Sequence, residues 1–170
     1  MRKLLLATLS AGSLVAAVGS VGAATTTTTF NVSATVAANC LASATALSFG
    51  TYTPAAGNVT SNTTISVRCT KNTAFTVALN GGSTTGGTIS QRLLSDGSGN
   101  SLQYNLYRDA AFTQLFGDGT SGTTAGGTGN GMAPASAVAV SVYGQLPDTT
   151  NNQARPPGTY TDLINVTVTY

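Results

Sequence analysis

Apolar and polar residues alternate in the segment 25–38. Its apolar positions are Phe30, Val32, Ala34 and Val36, and a polar residue separates each from the next. A period of two places alternate side chains on the same face of a β-strand, so the segment predicts a strand with one apolar face. No partner strand is close to it in the sequence.

The segment 159–170 follows the same pattern. Ile164, Val166, Val168 and Tyr170 alternate with Asn165, Thr167 and Thr169, which predicts a second strand with one face to bury. A strand near a chain end can complete its own sheet or be lent to a neighbouring molecule. The alternation alone leaves both possibilities open.

Six shorter segments between these two predict half-buried strands. They are residues 47–52, 63–69, 74–80, 89–94, 101–108 and 137–143. Clusters of Gly, Asn, Asp and Pro predict turns between them, and residues 70–73 could close a hairpin between the second and the third. No segment predicts a helix of useful length. The pattern predicts an all-β antiparallel sandwich or barrel, and we favour the sandwich.

Residues 117–131 contain seven glycines in fifteen positions. This composition predicts a mobile surface loop. The letters G-x-G-x-x-G occur at residues 117–122, but a phosphate site needs them between a strand and a helix, and neither is predicted there. A nucleotide site is therefore not expected.

Residues 1–24 have the features of a secretory signal peptide. Arg2 and Lys3 precede an apolar run, and small residues follow up to Ala24. The run is shorter than the roughly 20 apolar residues that a membrane-spanning helix needs. We expect export and cleavage, which leaves the segment 25–38 followed by one globular domain, residues 39–170.

Charge and residue types narrow the function. Without residues 1–24, five Lys and Arg residues balance five Asp residues, and the charges are scattered along the chain. This pattern argues against a nucleic-acid partner and against membrane binding or insertion after cleavage. The chain has no His and no Glu, so we expect no catalytic residues, no enzyme activity, no cofactor and no metal.

Cys40 and Cys69 are the two cysteines of the chain. Export would carry both into an oxidising compartment, where we predict that they form a disulfide. On the chain-entropy model, closing a loop of about 30 residues stabilises the fold by roughly 3 to 4 kcal/mol.

Several stretches of the chain resemble the spore coat U domain family, which includes the subunits of archaic chaperone-usher pili such as the Csu type. The stretches are Phe49-Gly50-Thr51-Tyr52, Ile65-Ser66-Val67-Arg68-Cys69, Phe75 to Gly82, Tyr104 to Ala110, and Gly158 to Asp162 leading into Val166 to Tyr170. Their order and the segment before Cys40 carry the resemblance over nearly the whole exported chain.

The resemblance implies an incomplete immunoglobulin-like sandwich that lacks its last strand and is completed by donor-strand exchange. Phe30, Val32, Ala34 and Val36 would then be the donor side chains. The edge of the acceptor groove would be formed by Ile164, Val166, Val168 and Tyr170.

The resemblance also implies partners and a location. The chain would be a pilus subunit that polymerises head to tail with identical or related subunits and supports adhesion and biofilm formation. A periplasmic chaperone would hold it before an outer-membrane usher assembles it, so it would pass through the periplasm to the cell surface. The carboxylate of Tyr170 would be the anchor for the chaperone.

Two alternatives stay open. A spore or cell coat protein would keep the same fold in another setting. A secreted carbohydrate-binding module would use the surface around Tyr107 or the glycine-rich residues 117–131.

Overall fold

The computed structural model describes residues 19 and 21–170 of the chain. Most of the predicted signal peptide, residues 1–18 and 20, lies outside the described residues. The compact domain spans Val36–Tyr170. Within the described residues, no helix has the length and apolar character needed to cross a membrane.

The regular secondary structure of the domain is almost entirely β-strand. The strands are β1 (Cys40–Ala44), β2 (Val59–Cys69), β3 (Ala74–Leu79), β4 (Arg92–Ser95), β5 (Ser101–Tyr107), β6 (Ala125–Thr128), β7 (Val138–Leu146) and β8 (Val166–Thr169). The helical elements of the described residues are a 3₁₀ turn at Pro134–Ser136 and one short helix, α1 (Thr150–Gln153).

The strands form two antiparallel sheets. One has the order β1-β2-β7-β5-β4 and the other the order β6-β3-β8. The longest pairing joins β2 to β7, from Val59 opposite Leu146 to Val67 opposite Val138. The predicted all-β antiparallel fold is confirmed.

The core lies between the sheets because alternate residues of β2, β3, β5 and β7 point inward. The buried apolar residues that these strands contribute include Ile65, Val67, Phe75, Val77, Leu79, Leu102, Tyr104, Leu106, Val140, Val142 and Leu146. Fully burying one such side chain is worth about 1.5 to 3 kcal/mol. The two-residue alternation of the sequence therefore accounts for the packing of these strands.

The predicted hairpin at residues 70–73 is wrong. Thr73 N–H does donate to Thr70 C=O at 3.0 Å, which makes a tight turn. However, β2 and β3 belong to different sheets, so the turn carries the chain from one sheet to the other. A short turn fits either geometry, and local sequence does not distinguish them.

Residues 117–131 are not merely a surface loop. Within them, β6 pairs with β3, and Gly127 lies opposite Phe75. A Cβ atom at Gly127 would lie 2.6 Å from Cζ of Phe75. The glycine therefore lets the ring lie against the backbone of β6, which a prediction from composition could not show.

Candidate strand-binding groove

A groove of about 1070 Å³ opens between the two sheets. We call it the open groove. One wall is formed by residues 44–52 and the other by residues 155–166. Its floor is the apolar core itself, with Ile65, Leu79, Leu94, Leu102, Leu106, Val142 and Leu146. Most of these floor side chains are themselves buried, and the half-buried Leu47, Phe49, Ile164 and Val166 also line the opening.

The first wall begins where β1 ends. Thr45 still bonds to β2, because its N–H donates to Thr64 C=O at 3.2 Å. Beyond it, Leu47, Phe49 and Tyr52 are half-buried, while the residues between them are exposed. Residues 47–52 were predicted to be a strand, and they keep the alternation without forming one. Their main chain has no ladder partner in the described part of the chain.

A glycine in β7 makes room for this wall. A Cβ atom at Gly144 would lie 2.9 Å from Cδ1 of Leu47 and 3.0 Å from Cζ of Phe49. Phe49 also packs edge-to-face on Tyr104, with 5.9 Å between the ring centroids. The wall therefore rests directly on the backbone of β7.

Asp148 anchors the far end of the first wall. It accepts hydrogen bonds from the Tyr52 hydroxyl at 2.5 Å and from the Gly57 N–H at 2.9 Å. Burial and the bond to the Asp148 carboxylate raise the pKa of Tyr52 to about 12. The hydrogen bond from Tyr52 lowers the pKa of Asp148. The pair thus remains a neutral phenol bonded to a carboxylate at neutral pH.

The second wall continues at Val166 into β8, which pairs with β3 along one edge. Among the described residues, β8 is the last strand of its sheet, so its other edge is open. Ile164 and Val166 line the groove. Val168 packs against the core beyond the lining, and Tyr170 is 57% exposed. Their role as an acceptor edge stays a prediction.

Asp162 fastens the second wall to the loop after β3. It accepts hydrogen bonds from the Tyr104 hydroxyl at 2.7 Å, the Ser83 N–H at 2.8 Å and the Thr84 N–H at 3.0 Å. Partial burial raises its pKa, but the hydrogen bonds from Tyr104 and Ser83 outweigh burial and leave the pKa lowered. Burial, followed by the bond to Asp162, raises the pKa of Tyr104.

The predicted donor side chains are strongly exposed. Phe30 is 86%, Val32 84% and Val36 81% exposed, and Ala34 is exposed as well. Residues 25–38 were predicted to be a strand, yet none of them belongs to one. A strand needs a partner for its main-chain groups, and this segment has no ladder partner among the described residues.

The predicted disulfide between Cys40 and Cys69 is confirmed. The two residues are opposite each other at the end of the β1–β2 pairing. Next to it, Thr70 Oγ1 accepts from the Asn39 N–H at 3.0 Å. The disulfide and this bond fix the point where the chain enters the domain.

The polar residues at the end of the groove next to α1 were missed by sequence reasoning. Asn152 is fully buried; its amide donates to Gln103 C=O and Pro147 C=O, and its Oδ1 accepts from the Gln103 N–H. These bonds satisfy the N–H and C=O of Gln103 in β5, as a neighbouring strand would. Arg155 also lines this end, and its Nε is buried without a hydrogen-bond partner. No periodic pattern marks either residue.

The remaining aspartates serve turns. The carboxylates of Asp96, Asp109 and Asp118 accept N–H groups two to five residues further along the chain. Among the described residues, no group of three His, Cys, Asp or Glu side chains is placed to hold a metal ion. The feature that stands out in the domain is therefore the groove.

Comparison with known proteins shows similarity to a protein family and to solved structures. The model of the Spore Coat Protein U domain family matches residues 26–167. Among solved structures, the chain is similar to a chain in the CsuC–CsuE chaperone–tip adhesion subunit pre-assembly complex from archaic chaperone-usher Csu pili of Acinetobacter baumannii. The identity is 26%, the TM-score 0.53, and the match covers 80% of this chain and 40% of that one. No curated protein matches.

Proposed function

The chain belongs to the Spore Coat Protein U domain family, and from this we propose that it is a structural subunit of a secreted chaperone-usher pilus. The observation that carries the proposal is the open groove, whose floor is the hydrophobic core and whose second wall has an open strand edge. An apolar groove and unpaired main-chain groups both favour association with another strand.

The occupant we propose is the segment 25–38 of a second copy. Its exposed apolar side chains Phe30, Val32 and Val36 would enter the groove, with the smaller Ala34 between them. Three such side chains are worth about 5 to 9 kcal/mol on burial, before the cost of ordering the segment. A hydrogen-bonded ladder along β8 would add to this, and the immunoglobulin-like sandwich would then be complete.

Before assembly another strand would cover the same groove, because an apolar groove beside an unpaired strand edge favours aggregation. We assign this role to a periplasmic chaperone, anchored at the carboxylate of Tyr170. At an outer-membrane usher, the segment 25–38 of the next subunit would then replace the strand of the chaperone. The similar solved structure, a chaperone–subunit complex, supports this assignment. The finished polymer would stand on the cell surface and support adhesion and biofilm formation.

A pair of charge substitutions on opposite faces of the segment tests the proposal. Val32→Asp puts a carboxylate on the face that enters the groove, whereas Ser33→Asp puts it on the opposite face. Burying an unpaired carboxylate is costly, so Val32→Asp should abolish polymers. Ser33→Asp should retain them.

The measurement is the ladder of multimers on unboiled gels of surface material. Wild-type and Ser33→Asp chains should give ladders that collapse to monomer on heating, and Val32→Asp should give no ladder. Equal ladders from both variants would refute insertion of this segment.

A further inference from the structure

The segment 25–38 joins the compact domain at Asn39 and Cys40. Thr70 N–H donates to Asn39 C=O at 2.9 Å, and the Asn39 N–H donates to Thr70 Oγ1 at 3.0 Å. The next residue, Cys40, is bonded to Cys69. In the polymer proposed above, the segment is held by a neighbouring copy, so tension between copies enters the domain at this point.

The first strand after this point, β1, is weakly held. It has five residues, pairs with β2 along one edge, and is the outermost strand of its sheet among the described residues. Four of its residues are exposed, and Cys40 is half-buried. Segments with few buried apolar contacts open at a low cost in free energy. The hydrogen-bonded ladder of β1 alone would therefore be a weak support against tension.

The partner of Cys40 lies in a stronger element. Cys69 is fully buried at the end of β2. This strand has 11 residues and pairs with β1 on one side and with β7 on the other. Its inward residues Ile65 and Val67 belong to the core. The disulfide therefore links the entry point of the segment to the core by covalent bonds.

The strand β1 also leads directly into the first wall of the open groove. The wall follows β1 in the chain, and beyond Thr45 it has no ladder partner among the described residues. Tension that detached β1 would act next on this wall. The same wall would contact the strand that the domain receives from another copy. Loss of β1 would thus loosen the hold of a subunit on the strand inserted in it.

We propose that the Cys40–Cys69 disulfide carries tension between subunits, passing it from the inserted segment to β2 so that β1 and the first wall stay in place. This inference rests on the proposed function. It gives the disulfide a mechanical role in addition to the stabilisation that loop closure provides. The two roles predict different behaviour of a polymer under load.

The test is to pull single polymers with an atomic force microscope, comparing the wild-type chain with a Cys40→Ala and Cys69→Ala double variant. Without the disulfide, β1 and the first wall should detach before the core opens. Residues 40–58, up to the start of β2, span at most about 65 Å when extended, so each subunit should lengthen by up to that amount at low force. Wild-type polymers should show no such early step.

Val140→Ala is the matched control. It removes volume from the buried core in β7 and leaves the disulfide, β1 and the groove lining unchanged. It should lower the force at which the whole domain unfolds without adding an early step. If the double variant does not assemble, wild-type polymers reduced by a phosphine after assembly are pulled in its place, with alkylation of both thiols confirming the reduction.

The possible results separate the inference from the proposed function. An early step in the disulfide-free polymers alone would support the inference. A lower unfolding force without that step would overturn it, because the disulfide would then only stabilise the fold. The same step in wild-type or Val140→Ala polymers would also overturn it, and both results leave the proposed function standing. Absence of polymers from the wild-type chain would overturn both.

Discussion

Arg92 is a cation held inside an apolar core. Its side chain is fully buried, and burial lowers its pKa. The guanidinium donates at 2.7 Å to Asn80 C=O, at 3.2 Å to Ile89 C=O and at 2.8 Å to Phe116 C=O. One side chain thus ties the end of β3 to the loop before β4 and to the segment after β5.

Arg92→Met should strongly destabilise the domain. Methionine fills part of the volume but leaves three buried carbonyls without their donor, and each such loss costs about 1 to 3 kcal/mol. We expect the free energy of unfolding to fall by about 3 kcal/mol or more. Chemical denaturation of the Val32→Asp chain measures this, with the partly exposed Arg68→Met as the control. Equal denaturation midpoints for Arg92→Met and Arg68→Met would contradict the role.

Residue types predicted some polar roles and missed others. Asp96, Asp109 and Asp118 serve turns, as Asp in loops commonly does. Asp148 and Asp162 instead bond to side chains 96 and 58 residues away in sequence. A local pattern carries no information at that separation, and for the same reason neither Asn152 nor Arg155 could be found. The chain contains no His and no Glu, so catalytic or metal sites that require these residues could be excluded from the sequence alone.

Among the elements, residues 44–52 depend on one glycine of a neighbouring strand. Leu47 and Phe49 lie where a side chain of Gly144 would be. Since this segment has no ladder partner beyond Thr45 among the residues that the structure describes, its packing on β7 and the bond from Tyr52 to Asp148 hold it in place. Its position defines the width of the open groove.

Gly144→Ala should displace this wall. A Cβ atom 2.9 Å from Leu47 is closer than packing allows, and overpacking of this kind costs about 1 to 3 kcal/mol. Gly126→Ala in β6 is the control, because the nearest atom to its Cβ would be at 3.7 Å. We expect thermal unfolding of the Val32→Asp chain to shift downward for Gly144→Ala and to stay near that of its parent for Gly126→Ala. The same shift for both would contradict the close approach.

Sequence alternation predicted the elements that lie inside a sheet. The strands around 63–69, 74–80 and 101–108 appear as β2, β3 and β5, since each packs one face on the core. Residues 47–52 have the same pattern without a ladder, and residues 159–165 precede the shorter β8. Cys40–Ala44 and Ala125–Thr128 were missed because small residues there hide the alternation. The alternation of apolar and polar residues therefore predicts which side chains are buried better than it predicts which segments pair in a sheet.

At the scale of the whole molecule, the open groove and the segment 25–38 are the two features that point to association. The domain has an open groove lined by apolar side chains, and the segment 25–38 exposes apolar side chains in alternation. With charged residues at only 7% of the chain, association would depend on strand insertion more than on electrostatic attraction. The groove lacks a strand and the segment lacks a strand to pair with. We therefore propose that the segment of one copy fills the groove of another.

Hydrogen exchange of the amides in residues 25–38 tests this proposal most directly. We predict slow exchange for Phe30 to Val36 in purified polymers, because a β-ladder would protect these amides. In the monomeric Val32→Asp chain the same amides should exchange rapidly. Fast exchange in the polymers would contradict insertion into the groove, and slow exchange in the monomer would show that the segment completes its own sheet.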